Sequence, residues 1–345
     1  MASTHPELSI SIIIPVYNGG DRFRQCLESL AKLNPSPLEI IVVSDGDTDE
    51  SWKMAQDFGV TVVRQPVSRG PATARNIGAK MAKGDILFFV DADVTVYPDI
   101  LPKVAKVFKS NPNVAALIGS YDDNPGESNF LSQYKNLFHH YIHQNASEEA
   151  STFWGACGAI RRQVFLEIGG FDQQYRRPSI EDIELGYRLK AAGYNIRLCK
   201  DIQVKHLKLW TPISLLKAEI FYRALPWTEL IHRDNRFVND LNLQWSSRIS
   251  VILTYSLVVA LMTVFWMPQS LLVSSLIVLS LLALNISVYR FFQQKRGWIF
   301  TLQVLFWHWL YYLYSGLAFA VGTANYFLKT RSSLDKLAIS PNSNS

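Results

Sequence analysis

The sequence predicts an α/β fold, a largely parallel sheet with helices on both faces, followed by a C-terminal membrane-spanning helical region. Strand-like and helix-like segments alternate through the first part of the chain, and two long stretches without Asp, Glu, Lys or Arg occupy the last part. At 345 residues, 48% hydrophobic and 18% charged, the chain has room for about two domains and is too apolar for a disordered protein. Three widely spaced cysteines favour neither a disulfide framework nor a zinc ribbon.

The predicted strands are short segments rich in Ile and Val, and the predicted helices lie between them. The strands are at residues 9–14, 39–44, 60–64, 86–91 and about 114–118, and the helices at about 21–33, 48–58 and 71–83. Pro71 suits the first turn of the third helix, and Gly84 suits a position after its end. Ligands of such sheets bind beyond the carboxyl ends of the strands, so the residues there form the candidate site.

Asp91 and Asp93 follow the fourth predicted strand. On an extended chain, residues two apart point to the same face, so both carboxylates face one crevice. Carboxylate oxygens suit a hard divalent cation, which in turn binds a diphosphate. The alternative is a solvated strand end, since turns are rich in Asp, but the fully apolar strand before it favours function. No glycine-rich dinucleotide motif and no P-loop follows a predicted strand.

Several short motifs resemble those of the family 2 glycosyltransferases, which have the GT-A fold, over about the first 210 residues. They are Ile14-Pro15-Val16-Tyr17-Asn18, Val43-Ser44-Asp45-Gly46, Ala74-Arg75-Asn76, Val90-Asp91-Ala92-Asp93, Gly169-Gly170-Phe171-Asp172 and Glu181-Asp182-Ile183-Glu184-Leu185. The resemblance implies displacement of a nucleoside diphosphate from the anomeric carbon of a sugar, with Mn²⁺ or Mg²⁺ as the cofactor.

The resemblance also implies roles for individual residues. The nucleotide-sugar would contact Pro15, Tyr17, Asn18 and Asp45 at the nucleoside, Arg75 near the nucleotide or diphosphate, and Asp91 near the ribose and sugar. Asp93 would ligate the metal, and His206 resembles a C-terminal histidine that completes the metal site in many relatives. Without the resemblance, a lone histidine is more often a surface or core residue than a ligand.

By the same resemblance, Asp182 is the base that deprotonates the acceptor hydroxyl, and Glu181 is the alternate base or a contact to a sugar. Ser179 to Asp182 also forms a capping-box pattern at the start of a helix running to Ala192. The two interpretations are compatible, because a helix N-terminus favours the ionised carboxylate that a base requires. Glu184 and Arg188, one helical turn apart, are predicted to form a structural ion pair.

Three other segments allow a functional and a structural interpretation. At Ser68–Asn76, free amides and arginines at a helix start favour an anion, although Arg69 also fits an exposed position on a capped helix. Small residues in Trp154–Ile160 would let a sugar approach the backbone, whereas Cys157 also fits the core. His139 and His143 are four apart, like metal ligands, but the zinc-protease motif is absent, and we expect them on the polar face of an acceptor-side helix.

The uncharged stretch Ile249–Tyr289 has 41 residues, about 62 Å as helix, which is twice a hydrocarbon core. Met267–Ser270 is the predicted turn of a helical hairpin, and small residues at Gly316, Ala320 and Gly322 would allow another helix to approach. The predicted divisions are a catalytic domain (1–206), amphipathic interfacial helices (207–247), a transmembrane hairpin (248–290), a third transmembrane or re-entrant helix (298–328) and a polar tail (329–345). Basic residues flank the hairpin at Arg233, Arg236, Arg248, Arg290, Lys295 and Arg296.

These basic residues place the catalytic domain in the cytosol by the positive-inside rule, and we expect a bacterial inner-membrane protein. The net charge of +5 clusters beside the hydrophobic stretches, which argues against a nucleic-acid partner.

The segment Arg223–Trp227 departs from the Gln-x-x-Arg-Trp motif of processive synthases, so we expect single-sugar transfer. No segment resembles the Arg-x-x-Gly-x-Ser-Lys type of polyprenyl-phosphate transferases, which favours a hydroxyl on a lipid or lipid-linked glycan, in glycolipid or polysaccharide biosynthesis. The alternatives are a polyprenyl-phosphate glycosyltransferase and a non-catalytic nucleotide-sugar-binding membrane scaffold.

Overall fold

The computed structural model describes residues 8–235 and 243–339, with side chains up to Arg331. The chain folds into two units, Met1–Thr211 and Pro212–Ser345. Of the residues singled out above, Arg236 and the end of the polar tail lie outside the described residues.

The first unit is built on one nine-stranded mixed sheet. The strands are β1 (Ile10–Val16), β2 (Glu39–Asp45), β3 (Thr61–Gln65), β4 (Ile86–Val90), β5 (Val94–Val96), β6 (Val114–Tyr121), β7 (Glu149–Ala150), β8 (Cys157–Arg161) and β9 (Asn195–His206). Their order is β3-β2-β1-β4-β8-β6-β9-β5, with β7 paired to β9. The first four strands pair in parallel, whereas β8 runs antiparallel to both β4 and β6. All five predicted strands are present, and the α/β class is confirmed.

Helices cover this sheet, and the central strands are buried between them. They are α1 (Gly20–Leu30), α2 (Ser51–Asp57), α3 (Pro71–Met81), α4 (Ile100–Ser110), α5 (Phe130–Asn145), α6 (Arg162–Glu167) and α7 (Glu181–Ala191). All five residues of β4 are buried, and Phe88 is part of the core under α1 and α4. Burying such a side chain stabilises the fold by about 1.5–3 kcal/mol. Pro71 occupies the first turn of α3, as predicted.

Helix α7 packs tightly on the segment before β8 at Gly186. A Cβ built on Gly186 would lie 2.3 Å from the Phe153 amide nitrogen and 2.4 Å from the Thr152 Cα. Because both neighbours are backbone, Gly186→Ala is expected to lower the free energy of unfolding by about 1–3 kcal/mol, measured as a lower melting temperature. Ala191→Gly, at the exposed end of the same helix, is the control and should cost no more than about 1 kcal/mol. Equal melting temperatures for the two variants would contradict this packing.

The second unit is helical. It begins with α8 (Pro212–Lys217), a π-helical segment (Ala218–Ala224) and α9 (Leu225–Arg233), and continues with α10 (Trp245–Thr263), α11 (Ser270–Leu284) and α12 (Ile286–Ile339). The chain reverses between α10 and α11 where the sequence predicts the turn. Asn285, just after α11, donates a hydrogen bond to Ser250 Oγ near the start of α10 at 3.0 Å, so the two helices run antiparallel.

Helix α12 is interrupted at Gly297, where φ is 81°. Beyond it, Gly316 lies against α10, since a Cβ there would be 2.6 Å from the Tyr255 ring and 2.8 Å from Val251. A Cβ on Gly322 would be 2.9 Å from Thr228 of α9, so these small residues admit neighbouring helices as predicted. Two described helices are long and apolar enough to cross a membrane, Trp245–Thr263 and Ile286–Arg331, and α11 is a shorter apolar helix.

Candidate active site

Asp93 and His206 meet at the sheet edge because β5 and β9 pair antiparallel, with Val94 opposite His206. The Asp93 carbonyl accepts a hydrogen bond from the Leu207 amide at 2.8 Å, which fixes the two strand ends together. As a result, Asp93 Oδ2 lies 3.6 Å from His206 Nε2. The structure thus brings together the two residues that the sequence predicts as metal ligands.

The His206 ring is held on two sides. Its Nδ1 lies 2.7 Å from Asn136 Oδ1, and its plane stacks on Tyr121 with ring centroids 4.4 Å apart and 7° between the planes. Because an amide oxygen only accepts, Nδ1 is the donor, and in the neutral ring Nε2 keeps its lone pair. That lone pair is on the nitrogen that faces Asp93.

These two side chains fit one divalent cation. A first-row transition-metal ion binds imidazole nitrogen and carboxylate oxygen at about 2.0–2.2 Å. His206 Nε2 and Asp93 Oδ2, which are 3.6 Å apart, can therefore both bind one ion. Burial alone would raise the pKa of Asp93, but His206 in its protonated form, together with Lys208 and Arg22, holds it well below its usual value, which keeps the carboxylate ionised. Among the described residues no group of three or more His, Cys, Asp or Glu is placed to hold a metal.

Arg75 of α3 joins the end of β4 to the start of α7. Its Nη2 donates to Asp91 Oδ1 at 2.6 Å and its Nη1 to Glu181 Oε1 at 2.9 Å, while the guanidinium lies over the Phe171 ring. The side chain is 5% exposed. Burial alone would lower the pKa of Arg75, but the charges of Asp91 and Glu181 raise it. Arg75 thus forms an ion pair with each of two carboxylates inside the site, and its contact with the nucleotide or diphosphate stays a prediction.

The glycines around Trp154 serve internal packing. A Cβ on Gly155 would lie 2.9 Å from the Arg75 guanidinium carbon, and one on Gly158 would lie 2.3 Å from the Trp154 carbonyl oxygen. The protein's own packing thus requires a small residue at both positions, and the approach of a sugar to this backbone stays a prediction. Cys157 is fully buried, as its core interpretation predicted.

Asp182 and Glu181 have different surroundings, although they are neighbours in the first turn of α7. Glu181 is 4% exposed and accepts from Arg75 and from the Ser179 amide at 2.8 Å. Asp182 is half-buried and accepts from the Gly155 amide at 3.1 Å and the Ile183 amide at 2.8 Å. The N-cap is Ile180, so the predicted capping box with Ser179 at this position is wrong.

The predicted ion pair in the same helix is present. Arg188 Nε donates to Glu184 Oε1 at 2.7 Å, and Arg188 also donates to the Ile168 and Gly170 carbonyls. These bonds fix α7 to the Gly169–Asp172 turn. Asn76 binds the same turn from α3 through two hydrogen bonds to the Phe171 backbone.

The residues predicted to hold the nucleoside lie at the ends of the neighbouring strands β1 and β2. Asp45 accepts hydrogen bonds from the Ser68 hydroxyl and from the amides of Arg69 and Gly70, so the anion at the start of α3 is this carboxylate. Oδ1 receives only one of these three bonds and retains acceptor capacity for a base. Asn18 Oδ1 accepts from the Thr48 amide at 2.8 Å. Pro15 is the residue before the last one of β1, and Tyr17, directly after that strand, is 56% exposed.

His139 and His143 do not form a polar helix face. His143 is 4% exposed and its Nδ1 lies 2.9 Å from the Gly119 carbonyl oxygen. The two rings are 4.0 Å apart and both contact Trp154. The prediction of a polar face is wrong because α5 packs this side against β6 and the segment before β8. Asn136, on the same helix, is the site residue that the sequence did not reveal, since nothing near it in sequence indicates its contact with His206.

The first unit has a GT-A-like α/β fold, with a mostly parallel sheet and a candidate site at the strand ends. Residues 11–169 match the model of "Glycosyl transferase family 2", and residues 136–209 match "N-terminal domain of galactosyltransferase". The mannosyltransferase PcManGT from Pyrobaculum calidifontis, in complex with GDP-Man and Mn²⁺, has a similar fold, with a TM-score of 0.61 and 17% identity over 91% of this chain and 87% of that one. Over residues 11–169 this chain is therefore similar to glycosyltransferase family 2.

Two curated relatives illustrate the extent of the likeness. An uncharacterized glycosyltransferase from Haemophilus influenzae is 31% identical over 187 residues, 52% of this chain and 61% of that protein. Glucosyl-dolichyl phosphate glucuronosyltransferase from Haloferax volcanii is 25% identical over 193 residues, 51% of this chain and 60% of that protein. The chain therefore matches about three fifths of the length of each of these two relatives.

Proposed function

We propose that this protein is a metal-dependent, inverting glycosyltransferase anchored in a membrane, which transfers one sugar from a nucleotide-diphosphate sugar to a hydroxyl of a lipid or lipid-linked glycan. One observation carries the proposal. Arg75 binds Asp91 and Glu181, which brings the carboxylate of Asp182 to the same site as the strand end that holds Asp91 and Asp93. The strand end that would bind the donor and the helix α7 that carries the proposed base are thereby connected by one buried side chain, that of Arg75.

Asp93 and His206 would hold the Mn²⁺ or Mg²⁺ ion that the similarity to the family implies. When bound there, the ion would neutralise negative charge that builds up on the leaving diphosphate. The chain's own part is to orient both ligands, through the hydrogen bond from His206 to Asn136 and the backbone hydrogen bond from Leu207 to Asp93.

Asn136→Leu tests this positioning role. Removing the acceptor for His206 Nδ1 frees the ring and its tautomer, and loss of such an outer partner lowers metal affinity by about 10–100-fold. The measurement is Mn²⁺ binding by electron paramagnetic resonance, with the nucleoside diphosphate present. Asn145→Leu makes the same change at an exposed position of α5 and should bind Mn²⁺ like the wild type. An unchanged dissociation constant in folded Asn136→Leu would contradict the role.

Asp182 is the proposed base for the acceptor hydroxyl. Glu181 is buried and paired with Arg75, whereas Asp182 is only half-buried, so an acceptor can reach its carboxylate more readily. A base on the face opposite the leaving group gives inversion at the anomeric carbon. A polyprenyl-phosphate acceptor is already an anionic nucleophile and needs no base, so a functional Asp182 favours the hydroxyl acceptor.

A membrane location is supported by the apolar surface of the second unit. Phe265 is 90% exposed, Trp266 80% and Leu272 67%, around a hairpin without charged residues. Such a surface suits lipid, and the flanking arginines favour a cytosolic catalytic domain at a bacterial inner membrane. The name of the Haloferax relative, with its glucosyl-dolichyl phosphate, supports a lipid-linked glycan as the acceptor class.

The deciding experiment is donor hydrolysis by the purified full-length protein with Mn²⁺, across UDP-, GDP- and dTDP-sugars, followed by transfer to lipid extracts. We expect release of one nucleoside diphosphate, faster with acceptor present. Calorimetry with the nucleoside diphosphates separates the outcomes. Binding without turnover in any condition would support the scaffold alternative, and absence of both binding and turnover would overturn the proposal.

A further inference from the structure

The first unit contains a pocket at the opposite end of β4 from the candidate active site. It encloses about 320 Å³ and is lined in part by Lys83, Asp85, Arg161 and Arg162; we call it the basic pocket. Its volume is at the small end of the range usual for ligand pockets, about 300–1,000 Å³. Asp85 precedes β4 and Asp91 follows it, so about 20 Å of extended chain separate the basic pocket from the proposed donor site.

Backbone pairing brings the two main segments of the basic pocket together. Strands β4 and β8 pair antiparallel with Ile86 opposite Arg161, so the start of one strand lies beside the end of the other. The Arg162 amide then donates to the Asp85 carbonyl at 2.9 Å, one step beyond the paired strands. The basic pocket is therefore built on the rigid sheet and not on a loop.

Arg161 is fixed in place by backbone carbonyls. Its Nε donates to the Val114 carbonyl at 3.0 Å. Its Nη2 donates to the Phe108 and Pro112 carbonyls at 3.1 and 3.3 Å. Carbonyl oxygens carry no net charge, so these bonds orient the guanidinium without cancelling its positive charge.

Arg162 carries a buried donor without an acceptor. Its Nε is buried, and within the described part of the chain no atom accepts a hydrogen bond from it. An unsatisfied buried N–H costs free energy, and native structures rarely leave one without a partner. Guanidinium groups bind carboxylate and phosphate oxygens in preference to other acceptors, so this donor indicates an anionic ligand.

The charge of the basic pocket indicates which anion it suits. Of the described lining residues, three are cationic and one, Asp85, is anionic, which gives a net charge of +2. Asp85 counts as ionised, because hydrogen bonds from the Ser9 hydroxyl and amide lower its pKa. A ligand with two negative charges would balance the lining, whereas a monoanion would leave one positive charge.

Two carboxylates beside the basic pocket already accept hydrogen bonds from neutral groups. Glu39 Oε1 accepts from the Ser11 hydroxyl and from the Lys83 amide, both at 2.6 Å. Glu167 accepts from the side chains of Gln163 and Tyr194 at 2.8 and 3.0 Å. Neither carboxylate forms a salt bridge with a cationic residue of the described lining, so the positive charge remains available to a ligand.

We propose that the basic pocket binds a phosphate monoester or inorganic phosphate, either as a small soluble molecule or as the headgroup of a lipid. A phosphate group carries about −1.5 to −2 charge at neutral pH and presents three acceptor oxygens. These match the charge of the lining and the donors of Lys83 and Arg162. The inference goes beyond the proposed function, since no residue assigned to donor, metal or base takes part.

The experiment titrates inorganic phosphate into the full-length protein in detergent, followed by phosphorus nuclear magnetic resonance. EDTA is present, so that no divalent ion brings phosphate to the candidate metal site. Lys83→Gln and Arg162→Gln should each weaken phosphate binding about tenfold, because each removes a charged donor. Lys106→Gln and Arg24→Gln make the same changes at exposed positions of α4 and α1 outside the lining, and should bind phosphate like the wild type.

Asp85→Asn should change the affinity in the opposite direction. It removes the negative charge of the lining and keeps an oxygen that can accept from Ser9, so phosphate binding should tighten about two- to fivefold. The Lys83 side chain is exposed, so Lys83→Gln should fold even if Arg162→Gln lowers the melting temperature. Unchanged affinity in both Lys83→Gln and Asp85→Asn would overturn the proposal, and so would the absence of saturable phosphate binding by the wild type.

A second experiment identifies the source of the phosphate group. The protein is placed in phosphatidylcholine nanodiscs that contain either phosphatidic acid, a phosphate monoester, or phosphatidylglycerol, a diester, and glycerol 3-phosphate is titrated at equal surface charge. Weaker glycerol 3-phosphate binding beside phosphatidic acid would support the lipid headgroup, and equal binding would support the soluble molecule. Acetate that competes as strongly as phosphate would overturn the assignment to a dianion. None of these measurements needs sugar transfer, so their outcome is independent of the proposed function.

Discussion

Asp182→Asn is expected to lower kcat for sugar transfer by about 10²–10⁴-fold, with the dissociation constant of the donor near that of the wild type. Asparagine keeps the shape of the side chain and an oxygen that can accept from the Gly155 amide, so the start of α7 should stay in place. It loses the basic oxygen that takes the acceptor proton. The measurement is the rate of single-turnover transfer beside donor affinity by calorimetry.

Glu181→Gln is the matched control, one residue away and with the same loss of charge. It removes one of the two carboxylates that form ion pairs with Arg75, so its main effect should be a lower melting temperature. Transfer should fall less than in Asp182→Asn. If Glu181→Gln abolishes transfer in a folded protein while Asp182→Asn retains it, the roles of the two carboxylates are reversed.

The sheet was predictable because its information is local. Buried strands such as Ile86–Val90 are continuous apolar segments in the sequence. The polar residues that come directly after such a strand in the sequence lie at its carboxyl end in the structure. The pairing of Asp93 with His206 needed the resemblance to a family. The reason lies in the antiparallel pairing of β5 with β9, which joins residues more than a hundred positions apart.

The contacts that organise the site could not be predicted. Arg75 and Glu181 are 106 positions apart, and Asn136 and His206 are 70 apart, so no local pattern indicates either contact. Arg75 looks like an anion-binding arginine at a helix start, yet the structure surrounds it with the protein's own carboxylates. In the same way, the amides at the start of α3 bind Asp45 within the chain.

Tertiary packing explains what the structure shows at His143, Gly155 and Gly158. The helical spacing of His143 and the small size of the two glycines do not identify their neighbours, which are the Gly119 carbonyl, Arg75 and Phe153. Glycine indicates that a neighbour comes close and does not say whether that neighbour is a ligand or the protein. The same reasoning succeeded at Gly316 because two apolar helices have only each other or lipid as neighbours.

Asp93→Ala is expected to reduce transfer by about 10³-fold, because a divalent ion contributes several kcal/mol of charge stabilisation to the departing diphosphate. The variant keeps His206 with its Asn136 hydrogen bond, so the loss should appear as weak Mn²⁺ binding with an intact fold. The measurement is the transfer rate as a function of Mn²⁺ concentration, beside Mn²⁺ binding by electron paramagnetic resonance.

Asp57→Ala, at an exposed position at the end of α2, is the control and should behave like the wild type. Wild-type activity should disappear in EDTA and return when excess Mn²⁺ is added, whereas added Mn²⁺ should restore little activity to Asp93→Ala. Full activity of the wild type in EDTA would show that charge on the diphosphate is neutralised by side chains alone. In that case Asp93 and His206 would be an ion pair of the fold, and the cationic role would pass to Arg75 or Lys208, whose charges already act on the neighbouring carboxylates.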